Sequence, residues 1–121
     1  MAAKDAMVMY LILRRDLLTS LNWPIGALVA QGCHAATAVL WTHKDDQHVR
    51  EYMAEMDSMR KVTLEADTEH SLRSISEKLS GAGIDHKLWI EQPENVATCI
   101  AVKPCPKSLV QPLMKGLKLF K

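Results

Sequence analysis

The sequence predicts an α/β domain in three layers, a mixed four-stranded sheet with helices on both faces, in the order β-α-α-β-α-β-β-α. Three stretches predict it. Residues 6–13 (AMVMYLIL) are apolar on both faces, the pattern of a central strand covered on each side. Residues 23–41 (WPIGALVAQGCHAATAVLW) place Ile25, Leu28, Val29, Gly32, Ala36, Val39 and Leu40 three and four apart, one face of a helix. Residues 84–91 and 98–103 read as strands on either side of Gln92-Pro93-Glu94-Asn95, which suggests a hairpin.

At 121 residues the chain reads as one domain, 1–121, long enough for a real core. Apolar residues make up 48% and charged residues 24%, ordinary for a soluble globular protein. The longest apolar run, residues 6–13, is too short to span a bilayer, so no membrane partner is expected. Cys33, Cys99 and Cys105 are odd in number and form no C-x-x-C pair, which indicates neither a disulfide framework nor a zinc site. A reducing compartment, the cytoplasm, is the expected location.

The elements follow in order. Residues 1–5 are expected to be a frayed end. Arg14-Arg15-Asp16 come at the carboxyl end of the first strand, where ligands of open α/β sheets bind; their plain alternative is a strand-end salt bridge. Residues 17–22 read as a connecting loop. Pro24 suits the first helical position, and Asn22 can accept bonds from the first turn. The alanines of this helix, with Gly26 and Gly32, keep it thin enough to lie close to a sheet. A second helix is expected at about 46–57, with Val49, Tyr52, Met53 and Met56 on one side.

Residues 61–66 (KVTLEA) alternate as a strand does. Asp67 and Thr68 are N-cap types, and Leu72, Ile75 and Leu79 form the buried stripe of a third helix that Gly81 and Gly83 end. Pro104 and Pro106 stop the last strand, and Pro106 can begin a final helix to about residue 115.

Among groups capable of chemistry, His34 stands first. An imidazole can accept a proton or orient a water, and Gln31, three residues earlier, lies above it on the same helix face. The alternative is a buried histidine bonded to a backbone carbonyl. Cys33 is no thiol–imidazole partner for His34, because adjacent helical residues point about 100° apart. His43, His48, His70 and His86 show no metal-ligand spacing. Trp23, Trp41 and Trp89 read as core or interface anchors rather than base-stacking platforms. Glycine-rich phosphate loop, GxSxG elbow and paired-carboxylate motifs are all missing.

The net charge is only +1, yet it is unevenly spread. Residues 44–57 hold five acids against two bases, whereas Lys103, Lys107, Lys115, Lys118 and Lys121 follow the last acid, Glu94. Such a tail is either a nucleic-acid footprint or a solvated surface.

The strand end Leu13-Arg14-Arg15-Asp16-Leu17, then Gly26 and Ala30-Gln31-Gly32-Cys33-His34-Ala35-Ala36, resemble the opening of the archaeal–eukaryotic class of peptidyl-tRNA hydrolases. In that family a strand ending in R-x-D-L leads to a helix reading G-K-x-A-A-Q-x-x-H-A. KVTLEA, Gly81-Ala82-Gly83 and Gly116-Leu117-Lys118-Leu119 also fit, so the resemblance covers nearly the whole chain from Met7. It implies metal-independent hydrolysis of the ester joining a peptide to the tRNA 3′ end, a reaction of translation that needs no cofactor. His34, Gln31 and Asp16 match the family histidine, glutamine and strand-end aspartate, and Thr98 matches a threonine near the start of the last strand.

On that resemblance His34, oriented by Asp16 or a carbonyl, activates water. Gln31 and Thr98 position the ester, while Arg14, Arg15, Lys103, Lys107 and Lys115 hold phosphates of the peptidyl-tRNA or another RNA. Two departures stand out. Ala27 replaces the family lysine, and the loop carrying an aspartate and a T-Q-I-A-P-G-T-like segment is shortened to Glu91-Gln92-Pro93-Glu94-Asn95-Val96. The aspartate aligns with Gln92, or with Glu91 if the gap is moved. The rival reading is a family member that kept the fold, lost the chemistry and binds RNA or protein. A homodimer is compatible with either.

Overall fold

The computed structural model describes residues 5–121. Seven apolar residues closed by Arg14 form β1 (Met7–Arg14), buried along almost its whole length. After it come a one-turn helix α1 (Asp16–Thr19), the long α2 (Ile25–Thr42), α3 (Gln47–Ala54) and a 3₁₀ turn at Met56–Ser58. The alternating KVTLEA segment is β2 (Lys61–Ala66), followed by α4 (Glu69–Gly81), the hairpin β3 (His86–Glu91) and β4 (Val96–Val102), the two-residue β5 (Cys105–Pro106) and α5 (Lys107–Met114).

The sheet runs β2-β1-β4-β3, with β5 attached to the start of β1. β1 and β2 are parallel, from Met9 beside Lys61 to Arg14 beside Ala66; β4 is antiparallel to both β1 and β3. Two cores lie on opposite faces. Val8, Tyr10 and Ile12 point with Leu64, Ile100 and Val102 to α4 and α5, against Leu72, Leu79, Val110 and Met114. Met9, Leu11 and Leu13 point the other way with Cys99 and Ala101, against Leu28, Ala35 and Val39 of α2 and Tyr52 of α3. The three layers expected from the sequence are therefore present, with a fifth strand added.

Several local expectations are corrected. Residues 17–22 are not all loop, because Asp16–Thr19 closes one helical turn. Pro24 is the N-cap of α2 rather than its first residue, with ψ at 147°. Asn22 gives no side-chain cap; it sits in the left-handed region at φ 56°, where it turns the chain into Trp23. The buried face of α2 is Leu28, Gln31, Gly32, Ala35, Ala36 and Val39, while Ile25 and Val29 face out.

Helix α3 ends at Ala54, three residues short of the expected boundary, and Met56 is exposed. Asp46 caps it by accepting from the N–H groups of His48 and Val49. Of the expected frayed end, residues 1–4 lie outside the described residues; Asp5 is tied to the N–H and hydroxyl of Ser108. Helix α2 has a mean hydropathy of 1.2 over 18 residues, enough by length and composition for a membrane span, and here it packs on the sheet.

Candidate active site

The site begins with a fault in the β3–β4 ladder. Trp89 pairs with Cys99, but the next residue, Ile90, pairs with Ala97, so Thr98 is left over as an extra residue. Such a bulge turns a side chain to the face it would not otherwise reach. Cys99 and Ala101 face α2, and strict alternation would aim Thr98 at α4. Instead Thr98, wholly buried, donates its hydroxyl proton to Gln31 Oε1 at 2.9 Å.

Gln31 passes that bond on. Its Nε2 donates to Glu91 Oε2 at 3.1 Å and to the Ala27 carbonyl at 3.3 Å. At 2% exposure, with both amide hydrogens and the carbonyl engaged, Gln31 is a buried connector rather than a surface ligand. What it aims is the Glu91 carboxylate. Glu91 Oε1 accepts from the Trp89 indole N–H at 3.0 Å, so each carboxylate oxygen has its own donor. The Trp89 and Gln31 bonds and the charge on His34 hold the Glu91 carboxyl below its ordinary value, against the opposing effect of burial.

His34 is exposed and stacks on Trp89, ring centroids 5.0 Å apart and planes 29° from parallel. It is therefore not the buried, carbonyl-bonded histidine of the plain alternative. Trp89, taken as a core or interface anchor, is the plate on which His34 rests, and its own indole is pinned by Glu91.

Asp16 does not orient His34. Its two oxygens take a paired bond from Arg14 Nε and Nη2, both at 2.9 Å. The same guanidinium donates from Nη1 to the Ala97 carbonyl at 3.0 Å and lies 3.6 Å from Glu69. Arg14 is 5% exposed, so it is removed from the phosphate-binding set. Period-2 alternation explains this: Arg14 shares the inward face of Tyr10 and Ile12.

Residues 7–120 match the family profile Peptidyl-tRNA hydrolase PTH2. The chain belongs to the PTH2 family of peptidyl-tRNA hydrolases. It is 52% identical over 121 residues to human PTRHD1, provisionally named as a peptidyl-tRNA hydrolase, covering 99% of this chain and 86% of that one. The mouse counterpart is 53% identical over 116 residues, 95% of this chain and 83% of that one. A Dictyostelium discoideum protein bearing the name probable peptidyl-tRNA hydrolase 2 is 29% identical over 107 residues, 84% of this chain and 51% of its own. Among solved structures, Atu0240 of Agrobacterium tumefaciens, a protein of unknown function, matches with a TM-score of 0.65 at 14% identity over 98% of this chain and all of its own. That likeness concerns the fold alone.

On the family resemblance, Gln31, His34 and Thr98 are the expected counterparts of the family glutamine, histidine and threonine; of the two residues offered for the loop aspartate, Glu91 is the one bonded to Gln31. The sequence leaves Glu91 and Gln92 tied; Gln92 is exposed and bonds to Asn95. Glu91 instead shares a face with Trp89 and Cys99 and accepts from Gln31 and Trp89. Ala27, the lysine's replacement, is half-buried one turn before Gln31.

The expected phosphate-binding residues divide. Arg15 lies at the same sheet end as the site, stacked over Phe120 at 4.8 Å and beside Lys118 and Lys121. Lys103 is nearly buried between Asp46 at 2.8 Å and Asp85 at 3.2 Å, its charge already answered. Lys107 follows β5, which pairs with Met7 and Val8, about 20 Å along β1 from the site. Lys115 lines a groove with Tyr10 and Leu64 on the α5 side of the sheet. Lys118 and Lys121, outside the expected set, are the tail lysines that lie beside Arg15. Their chain is held by Glu65 N–H to Lys118 and Phe120 N–H to Thr63.

Cys33 is exposed on α2, whereas Cys99 is buried and its thiol pushed up to about 12 by desolvation. Among the described residues no group of three or more His, Cys, Asp and Glu side chains is placed to hold a metal ion.

Proposed function

We propose that this chain hydrolyses the ester between a peptide, or an N-blocked amino acid, and the 3′ end of tRNA. The observation that carries the reading is the hydrogen-bonded row Thr98–Gln31–Glu91 ending beside an exposed, stacked His34. Water attacks the ester carbonyl while an imidazole nitrogen of His34 takes its proton. The ester C–O bond then breaks, and the proton passes to the departing ribose oxygen. Glu91, an anion at the end of that row, is bonded to the indole N–H of Trp89, on which His34 stacks. Thr98 and Gln31 are buried; their part is to fix Glu91. Arg15, Lys118 and Lys121 hold tRNA phosphates at the same end of the sheet, and the reaction belongs in the cytoplasm.

Ala27 favours a second reading. Without an ammonium facing the developing oxyanion, the site lacks a group that commonly contributes about 3 kcal/mol, and the chain would bind RNA without turning it over. Incubating the purified protein with N-acetylated aminoacyl-tRNA separates the two. Release of the N-acetyl amino acid above the buffer rate is expected; tRNA binding with no release would favour the binding module.

A further inference from the structure

Ala97 has an unusual pair of partners. β1 and β4 are in register from Leu11–Ala101 to Leu13–Cys99, and the ladder stops there. The backbone of Ala97, one residue past the bulged Thr98, is instead bracketed by side chains of opposite charge. Glu69 Oε2, from the first turn of α4, accepts the Ala97 N–H at 3.0 Å, and Arg14 Nη1 donates to the Ala97 carbonyl at 3.0 Å. The two side chains also attract one another, 3.6 Å apart, and Asp16 fixes the guanidinium plane through two bonds. The Ala97 bond is the leading cause that holds the Glu69 carboxyl below its ordinary value.

We infer that Arg14 and Glu69 form a clamp that holds the β4 bulge open and so positions Thr98 for Gln31. Without the clamp, the extra residue is free to slip. A one-residue slip returns Thr98 to the α4 face and sends its hydroxyl away from Gln31. Glu69 is thus a positioning residue, acting through Ala97 and Thr98 on Glu91. Its effect on turnover rests on the hydrolase reading; its effect on Ala97 does not.

The test compares Glu69→Ala, Glu69→Gln and Arg73→Ala in the full chain by amide hydrogen exchange, the Thr98 methyl resonance and steady-state hydrolysis. Glu69 is partly exposed, and Arg14 keeps Asp16 as its partner, so Glu69→Ala is expected to fold. Its Ala97 amide should exchange about tenfold faster and the Thr98 methyl signal should move, while kcat falls about tenfold at nearly constant KM. Glu69→Gln, whose amide oxygen can still accept from Ala97, should restore most of each. Arg73→Ala removes the helix pair of Arg73 with Glu69 at 3.0 Å and should leave Ala97 exchange unchanged.

Unchanged Ala97 exchange or an unmoved Thr98 methyl in Glu69→Ala would overturn the clamp. So would an equal effect from Arg73→Ala. If the wild-type chain hydrolyses nothing, the hydrolase reading fails, and exchange at Ala97 with the Thr98 signal still decides the clamp.

Discussion

Thr98 reaches Gln31 only because it is the unpaired residue of a bulge. The contact is wholly buried, and the two side chains complete one another's hydrogen bonding. Replacing Thr98 by valine keeps the shape and strands Gln31 Oε1 without its donor. Thr98→Val should therefore lose about 1–3 kcal/mol of stability in urea unfolding, with the slope unchanged. A loss near zero would mean that Gln31 finds another donor.

Folding holds the Glu91 carboxyl below its ordinary 4.5, so its ionised form stabilises the native state. That contribution is fully present above about pH 4.5 and is lost as pH falls through the lowered native value. The stability of the wild type relative to Glu91→Gln should be constant at neutral pH and shrink on acidification. Chemical denaturation from pH 7 to pH 3 checks it; a gap that widens in acid would contradict the assignment.

Much of this architecture is written in the chain, and the misses have physical causes. KVTLEA gives β2 to the residue, because a half-buried edge strand must alternate. β1 is legible because a strand covered on both faces has to be apolar throughout. β5 and α1 are not: two residues and four residues carry no period. The bulge at Thr98 leaves no composition mark, since neither glycine nor proline makes it. Arg14 could have been found, because counting in twos from Tyr10 and Ile12 puts it inside. Glu91 could have been found from Trp89 in the same way. The reassignment of the lysines needs the three-dimensional path, which separates sheet ends that sequence distance does not.

If Arg15, Lys118 and Lys121 hold phosphates, log affinity for tRNA should fall linearly with log salt. Lys118→Ala with Lys121→Ala should flatten that line by about 0.7–0.9 for each phosphate that is no longer neutralised. The triple change at Lys103, Lys107 and Lys115 should leave the slope nearly alone. Filter binding across a salt series distinguishes them, and the reverse ranking would place the RNA on the α5 side.

At position 27 a lysine would project from α2 one turn before Gln31, toward the carboxylate that Gln31 holds. Ala27→Lys should raise kcat/KM about tenfold, equivalent to ~1.4 kcal/mol of transition-state stabilisation. Its half-buried setting makes a parallel melting curve necessary. A stable Ala27→Lys protein that cleaves no faster would mean that this face of α2 does not meet the ester.

The most direct measurement is single-turnover release of an N-acetyl amino acid from tRNA by the wild type beside His34→Ala. His34 is exposed, so the substitution should leave the melting midpoint in place. The account predicts release by the wild type and a loss of about 10²–10⁴-fold in His34→Ala, the usual contribution of a general base. Release undiminished in a folded His34→Ala protein, or none from the folded wild type, would contradict it.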